Sequence, residues 1–264
     1  MVQRPLGNHH DGPDTLLVTS DTTQTEPVAA KGKNATEEIT EMARGARFVL
    51  WDFDGPICGL FAGHSAQDVA GGLVKWLEGR GLHGLVTENE RDSLDPQVLL
   101  RAVGRRHPGS DLVAELEERL TKEELRATST AMPTPFADIL IQTWRARGAR
   151  MAVTTDNSPR VVRAYLDDRG LTPCFAPHVY GRTQDLHHLK PDPHCLKRAL
   201  SAMGAAPDEA LMIGDSPTDL QAADQAGVPF LGYARNERKA KLLTEAGAGH
   251  VVGSLEPLLV MLRN

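Results

Sequence analysis

Asp52 and Asp54 directly follow an apolar run at residues 47–51 and precede the turn pair Gly55-Pro56. An apolar run of this length that ends in turn residues is typical of a buried parallel strand. Side chains alternate along a strand, so the two carboxylates point the same way. Two carboxylates at one strand tip repel each other unless a cation or a shared proton relieves them. The pair therefore suits a bound Mg²⁺ beside an aspartate nucleophile.

A hydroxyl and an ammonium follow further along the chain. Thr155 and Asp156 end the apolar run at residues 151–153. A threonine there can bind a phosphate oxygen with help from the next backbone N–H, and Thr154 is an alternative to Thr155. Lys190 stands before Pro191 in a K-P-D-P motif, where the prolines stiffen the loop that aims the lysine.

Two more carboxylates lie in residues 214–219, which read GDSPTD and follow an apolar run. Asp215 is predicted at a strand tip, and Asp219 one turn into the helix that follows. The same motif, with Ser216, also resembles an ordinary helix N-cap. Each motif alone fits a turn or a helix start. Their joint occurrence, each after an apolar strand, indicates a catalytic site.

The elements that must position these groups divide the chain. Strands alternate with helices after residue 148, which predicts a doubly wound, Rossmann-like parallel sheet of the α/β class. Residues 65–147 have a helical pattern instead, which predicts an α-helical cap inserted after the first strand. We expect a disordered tail at 1–34, the core at 35–61 and 148–264, and the cap at 62–147. The predicted strands are 47–51, 150–154, 178–180, 210–213, 228–232 and 250–252.

The predicted helix starts rest on capping residues and on proline at the first helical position. Apolar faces support the third helix, through Leu112, Leu116 and Leu120, and the fourth, through Ile139, Leu140 and Trp144. The starts within the cap are Ser65, Asp95-Pro96, Ser110 or Asp111, and Thr134-Pro135, and the helices of the core are predicted at 159–169, 193–203 and 236–246.

Composition excludes several classes of protein. Hydrophobic content of 41% and charged content of 24% are ordinary for a globular protein. A net charge of −6 argues against a nucleic-acid binder. No uncharged apolar run approaches the ~18–20 residues that span a bilayer, so we expect no membrane partner. The scattered cysteines predict a cytoplasmic protein. The sequence leaves open whether it is a monomer or a homodimer.

The order of these motifs resembles the haloacid dehalogenase superfamily of aspartate-nucleophile hydrolases. The matching residues are D-F-D-G at 52–55, Thr155, Lys190-Pro191, and residues 214–219. The helical block is similar to the C1 cap of the subgroup that contains phosphoglycolate phosphatases and β-phosphoglucomutases. The resemblance covers about residues 47–264.

This resemblance implies a Mg²⁺-dependent phosphatase for a small phosphorylated metabolite. Asp52 would attack phosphorus, and Asp54 would act as general acid and then base. The ligands of Mg²⁺ would be the Asp52 carboxylate, the Asp54 backbone carbonyl and the Asp215 carboxylate. Lys190 and Thr155, with Asp156 and Gly55, would bind the phosphoryl group. Asp219 and Ser216 would support them.

Some residues leave alternatives open. His64 could assist proton transfer, as in β-phosphoglucomutase-like relatives, or be a hinge residue, so a sugar-phosphate mutase is an alternative function. A non-catalytic metabolite-binding module is another. Arg182 could approach substrate or pair with a carboxylate. The cap arginines, Arg101, Arg105 and Arg106, could reach an anionic leaving group or form a solvated face.

Overall fold

A computed structural model describes residues 34–264. The tail predicted at 1–34 therefore lies outside the described residues, except for Asn34. Asn34 caps the first helix, α1 (Ala35–Gly45), by accepting a hydrogen bond from Glu37 N at 2.9 Å. Within the described residues, no helix is both long enough and apolar enough to cross a membrane.

The centre of the fold is a parallel sheet of six strands in the order β5-β4-β1-β6-β7-β8, and two further strands, β2 and β3, form a separate antiparallel pair. Helices between successive strands make the crossovers that a parallel sheet requires. The predicted fold class is thus confirmed. The strands are β1 Phe48–Trp51, β2 Cys58–Gly59, β3 Met132–Pro133, β4 Arg150–Thr154, β5 Val179–Tyr180, β6 Ala210–Gly214, β7 Phe230–Tyr233 and β8 Val251–Val252.

Three helices of the inserted block begin where the capping residues predict. Ser65, Asp95 and Ser110 each accept a backbone N–H of the first turn of the helix that follows. Two short 3₁₀ helices, Leu186–His188 and Pro207–Glu209, lie in connecting loops. The α-helices are α1 Ala35–Gly45, α2 Ala66–Glu78, α3 Glu88–Arg91, α4 Pro96–Arg106, α5 Asp111–Thr128, α6 Ala137–Ala146, α7 Pro159–Asp168, α8 Thr172–Phe175, α9 His194–Met203, α10 Pro217–Ala226, α11 Glu237–Glu245 and α12 Glu256–Arg263.

The short β2–β3 pair joins the two ends of the inserted helical block. Cys58 pairs with Pro133, and Gly59 pairs with Met132. Thr134 extends this contact, because its N–H donates to the Ile57 carbonyl at 3.0 Å and its hydroxyl donates to the Gly55 carbonyl at 2.5 Å. The chain therefore enters and leaves the block at one place, next to Asp54.

Apolar clusters separate the inserted helices from the sheet. Side chains of α2, α4 and α5, such as Leu73, Leu100 and Leu116, form a cluster of their own. Helix α6 differs, since its Leu140 and Trp144 belong to the cluster that contains β1. The cap boundaries at 62 and 147 stay a prediction, and these contacts lead us to propose that the cap ends before α6.

The structure corrects three details of the sequence-based assignment. Helix α6 begins at Ala137 rather than at Thr134-Pro135, because Thr134 is hydrogen-bonded to the β2 side of the block and Phe136 has a φ of +67°. Ile139 is 46% exposed and does not share the buried face of α6. Strand β7 starts at Phe230, because the N–H of Val228 closes the end of α10 on the Ala223 carbonyl at 2.9 Å.

Replacing Trp144 by alanine tests how α6 is anchored. The indole is buried, donates to the Ala43 carbonyl at 3.1 Å and meets Trp51 edge to face at 5.7 Å. We expect Trp144→Ala to lower the free energy of unfolding by about 3–5 kcal/mol, measured by urea denaturation followed by circular dichroism. The control, Ile139→Ala on the exposed face, should cost less than ~1 kcal/mol. Equal losses would contradict this packing.

Candidate active site

Three neighbouring strands bring the predicted residues to one edge of the sheet. Asp52 follows β1, Thr155 follows β4 and Asp215 follows β6, and β1 lies between the other two strands. Backbone hydrogen bonds continue past the strand ends, from Asp52 N to the Ile213 carbonyl at 2.9 Å and from Thr155 N to the Tyr180 carbonyl at 3.0 Å. The side chains therefore start from fixed positions at the carboxyl edge of the sheet, where open α/β sheets bind ligands.

Lys190 joins two carboxylates at the bottom of this site. Its Nζ lies 2.9 Å from Asp52 Oδ1 and 2.6 Å from Asp219 Oδ1. The lysine is only 1% exposed, and both partners are also buried. A buried ammonium needs such partners, because water cannot solvate it.

Asp219 is held by the start of α10 as well as by Lys190. Its Oδ2 accepts hydrogen bonds from Asp215 N at 3.1 Å, Ser216 N at 3.0 Å and Ser216 Oγ at 2.7 Å. The Ser216 hydroxyl in turn accepts from Asp219 N at 3.2 Å, which completes a capping box. The motif is thus both the helix cap and part of the site, and Asp219 is saturated with donors.

These contacts set opposite pKa shifts within the cluster. Burial raises the pKa of Asp52 and outweighs the opposing charge of Lys190. Burial also acts on Asp219, but Lys190 and the donors of the capping box outweigh it, so the pKa of Asp219 is lowered. Burial would lower the pKa of Lys190, yet Asp219 and Asp52 raise it well above its ordinary value. The charged form of Lys190 is therefore favoured, with the Asp219 carboxylate as its counter-ion.

Asp54 and Asp215 complete the acidic side of the site. Burial raises the pKa of Asp54 to about 6, although a hydrogen bond from Leu60 N at 2.9 Å opposes it. Burial raises the pKa of Asp215 too, against Lys239, whose Nζ lies 2.8 Å from Asp215 Oδ2. A carboxyl group with a pKa near 6 can both donate and accept a proton near neutral pH.

Two glycines allow the strand ends to approach this closely. Gly55 has a φ of +127°, and a Cβ built on it would lie 2.4 Å from Asp215 Cγ. A Cβ on Gly214 would lie 2.5 Å from Asp219 Cβ. Any larger residue at either position would displace a carboxylate, so both positions require glycine.

The donor set fits a small divalent cation. One carboxylate oxygen each of Asp52, Asp215 and Asp219 lie within 4.8 Å of one another. Both oxygens of Asp219 accept hydrogen bonds, whereas Lys190 contacts only Oδ1 of Asp52 and Lys239 only Oδ2 of Asp215, so these two residues each keep one oxygen to face an ion. Among the described residues, no N–H or hydroxyl donates to the Asp54 carbonyl. Hard oxygen ligands of this kind are those that Mg²⁺ prefers.

Thr155 and Asp156 lie where phosphate contacts are expected. The Thr155 hydroxyl is 3.1 Å from Asn157 Oδ1 and accepts from Asn157 N at 3.2 Å. The Asp156 carboxylate accepts from Lys190 N at 3.0 Å and pairs with Arg101 of α4, so positive charge lies close to it. Its own N–H meets no acceptor among the described residues. Asp156 can thus offer its N–H to an anion while its charge is compensated.

His64 is not brought into the cluster. Its Nε2 lies 3.2 Å from Glu123 Oε2 on α5, and its ring stacks on Phe61. This pairing favours the hinge interpretation over a role in proton transfer.

The arginines left open by the sequence have carboxylate partners. Arg182 is paired with Glu117 and Glu124 rather than exposed to substrate. Arg105 and Arg106 each lie 2.9 Å from Glu90. Of Arg101, Arg105 and Arg106, only Arg101 contacts loops of the core within the described residues. It pairs with Asp156 and donates to the Lys190 carbonyl.

Sequence reasoning missed Glu124, Asn157 and Lys239. Glu124 and Asn157 connect α5 to Thr155, and Lys239 of α11 pairs with Asp215. Asn157 stands in the segment already singled out, two residues after Thr155, which is the one signal that could have found it. The other two belong to amphipathic helices, where a charged residue has no distinguishing pattern.

The match to known families agrees with this geometry. Residues 22–227 match the sequence profile of the haloacid dehalogenase-like hydrolases. The chain belongs to this family, which confirms the resemblance based on its motifs.

Relatives and solved structures extend the comparison. The chain is 41% identical to phosphoglycolate phosphatase of Rhodospirillum rubrum over 105 residues, 38% of this chain and 43% of that protein. It therefore spans less than half the length of that relative. It is 27% identical to phosphoglycolate phosphatase of Pseudomonas putida over 81% of this chain and 78% of that protein. The structure of CbbY from Rhodobacter sphaeroides in complex with phosphate shares the fold, with a TM-score of 0.59 at 21% identity over 83% and 100% of the two chains.

Cation binding to this site should strengthen as pH rises. Raised pKa values of Asp52 and Asp215, the two carboxylates that would bind the ion, mean that the metal-free site keeps protons that a cation must expel. Mg²⁺ affinity should therefore increase from pH 5 to pH 7 by up to about tenfold per unit for each proton released. Isothermal titration calorimetry in buffers of different ionisation enthalpy measures both the Mg²⁺ affinity and the number of protons released on binding.

Two asparagine variants locate the ion. Asp215→Asn should weaken Mg²⁺ at least about tenfold, whereas Asp224→Asn on the exposed face of α10 should behave like the native protein. An affinity independent of pH, or equal effects of the two variants, would contradict the assignment.

Proposed function

We propose that the protein is a Mg²⁺-dependent phosphatase that hydrolyses small phosphate monoesters through a phosphorylated Asp52. The contact between Lys190 and Asp52 carries this proposal. The Lys190 ammonium, 2.9 Å from Oδ1, acts to lower the pKa of Asp52 against the larger effect of burial, and it adds positive charge where a phosphoryl group would arrive. Membership in a hydrolase family and the phosphatase names of the relatives support the same reaction.

In the first step, a carboxylate oxygen of Asp52 attacks phosphorus, and the bond from phosphorus to the ester oxygen breaks. Asp54 donates its proton to the leaving oxygen, so that an alcohol departs. Thr155 and the Asp156 N–H bind the equatorial phosphoryl oxygens, and Lys190 offsets their charge. Phosphoryl transfer depends mainly on this positioning and charge stabilisation.

In the second step, Asp54, now ionised, takes a proton from water. That water attacks phosphorus, the bond to the Asp52 oxygen breaks, and inorganic phosphate forms. A pKa of about 6 allows Asp54 to serve in both directions near neutral pH.

Asp52, Asp215 and the Asp54 carbonyl would hold Mg²⁺. When bound, the ion would neutralise carboxylate and phosphoryl charge that Lys190 and Lys239 leave uncompensated. Asp219 contributes indirectly, by fixing Lys190 and closing the turn that presents Asp215.

The substrate must be small enough to lie beneath the inserted helices. Asp52 is only 8% exposed, and Arg101 from α4 closes over Asp156 and the Lys190 carbonyl. We propose a cytoplasmic metabolite carrying a phosphate ester. 2-Phosphoglycolate is the first ester to test, because the R. rubrum and P. putida relatives are phosphoglycolate phosphatases.

Hydrolysis is favoured over the two alternatives. A mutase of the β-phosphoglucomutase type would use His64 near the substrate, but His64 is paired with Glu123. A binding module would have no use for Asp54, a proton donor and acceptor placed beside a nucleophile.

Asp52→Asn tests the nucleophile. Turnover of phosphate esters in Mg²⁺ should fall at least about a thousandfold, because an amide cannot attack phosphorus. Release of inorganic phosphate is the measurement, and Asp224→Asn is the control that should stay fully active. Accumulation of an isomer without phosphate release would favour the mutase instead, and an active Asp52→Asn enzyme would exclude the proposed nucleophile.

Asp54→Asn tests the general acid. An alkyl phosphate needs its leaving oxygen protonated, so its turnover should fall about 10²–10⁴-fold. Nitrophenolate leaves without a proton, so formation of the phosphorylated enzyme from p-nitrophenyl phosphate should be much less affected. A stopped-flow burst of nitrophenolate, stoichiometric with enzyme, is expected because the second step lacks its base. Equal losses for both esters, without a burst, would contradict the role of Asp54.

A further inference from the structure

Glu124 is a carboxylate of α5 that is completely buried where the inserted helices meet the core. Its Oε1 accepts from Asn157 Nδ2 at 3.0 Å and from Arg182 at 3.0 Å. Its Oε2 accepts from Ser158 N at 3.3 Å and again from Arg182 at 3.0 Å. A buried charge with four donors is fixed in place, since any movement would leave it unpaired.

Arg182 supplies the opposite charge from the core side. Its guanidinium is fully buried and binds Glu124 with two parallel hydrogen bonds. It also donates to Thr121 Oγ1 at 2.9 Å, Glu117 Oε1 at 3.0 Å and the Asp156 carbonyl at 3.0 Å. This bidentate geometry gives the pair a defined orientation as well as a charge. One arginine thus ties α5 to the loop that follows Thr155.

Asn157 relays this contact to the proposed phosphate ligand. Its Nδ2 donates to Glu124, which orients Oδ1 toward the Thr155 hydroxyl at 3.1 Å. Its N–H holds the Thr155 oxygen at 3.2 Å. When phosphate binds, the hydroxyl hydrogen can turn to the anion while the oxygen stays held by the Asn157 N–H. Three hydrogen bonds thus link a residue of the inserted helices to the phosphate site.

Helix α5 is also docked outside this network. It packs along α7, the helix that starts immediately after residues 155–158. Arg160 of α7 lies 2.8 Å from Glu118 of α5. The start of α7 and the Thr155 loop therefore face α5 together.

We propose that Glu124 is a positioning residue for phosphate binding, acting on Thr155 through Asn157, so that docked α5 completes the phosphoryl site. The proposal rests on the proposed function, because it assigns Thr155 to the phosphoryl group. It predicts that the inserted helices contribute to phosphate binding as well as covering the substrate. Phosphate affinity depends on a charge supplied by α5.

Glu124→Gln and Glu117→Gln form a matched pair. Both residues lie on α5 and pair with Arg182, but only Glu124 contacts Asn157 and Ser158. Inorganic phosphate is the probe, titrated by calorimetry in Mg²⁺. Glu124→Gln should raise its Kd about tenfold, as loss of a residue that orients a ligand-binding group does, and Glu117→Gln should change it less than about twofold.

Steady-state kinetics give a second readout. Thr155 would bind the phosphoryl group in the ground state and in the transition state alike. Glu124→Gln should therefore raise KM about tenfold and leave kcat within about twofold. If Glu124 only stabilised the fold, Glu124→Gln would lower the thermal midpoint of unfolding but would not raise KM while leaving kcat unchanged.

Asn157→Ala covers the case in which Glu124→Gln does not fold, as judged by circular dichroism. It keeps the Glu124–Arg182 pair and removes the link to Thr155, so it should raise the Kd of phosphate as much. Native phosphate affinity in either folded variant, or an equal effect of Glu117→Gln, would overturn the proposal. A native protein that neither binds phosphate nor hydrolyses esters would instead overturn the proposed function itself.

Discussion

The buried Lys190 ammonium is the interaction on which the site depends. It lies 2.9 Å from Asp52 and 2.6 Å from Asp219, in a place from which water is excluded. Burying any of these charges alone would cost several kcal/mol. Together they fix one another, and the lowered pKa of Asp219 and the raised pKa of Lys190 follow from that. Lys190 faces two acids, however, and Lys239 pairs with a third, Asp215, so two lysines stand against three carboxylates. The remaining negative charge is what a divalent cation would neutralise.

The parallel sheet is what makes such a concentration of charge possible. Strands β4, β1 and β6 are adjacent, so the residues that follow them lie side by side. Glycine at 55 and 214 removes the side chains that would keep the loops apart. Helices packed around the sheet contact the residues at this edge and fix their positions. Helix α10 saturates Asp219 through its cap, and α5 reaches the Thr155 loop through Glu124. The site thus depends on the sheet, on a helix of the core and on a helix of the inserted block.

Most of this arrangement could be predicted from short-range patterns. Apolar runs gave β1, β4 and β6, and the residues after them gave Asp52, Thr155 and Asp215, since each strand end lies at the same edge. Contacts between a helix and a loop that is distant in sequence could not be predicted. Glu124 and Lys239 look like solvent-facing residues of amphipathic helices, and only tertiary packing turns them toward the site. The helical pattern of α6 predicts that it belongs to the cap, whereas the contacts with β1 that lead us to propose an earlier end of the cap depend on the fold as a whole.

A phosphorylated Asp52 is the most direct consequence of this account. The enzyme can be mixed with a phosphate ester in Mg²⁺, quenched in acid within one turnover, and treated with borohydride, which reduces an aspartyl-phosphate to homoserine. Peptide mass spectrometry then locates the reduced residue. Homoserine at position 52, with Asp54, Asp215 and Asp219 unchanged, is the predicted result. Homoserine at another aspartate, or none in an enzyme that is turning over, would contradict Asp52 as the nucleophile paired with Lys190.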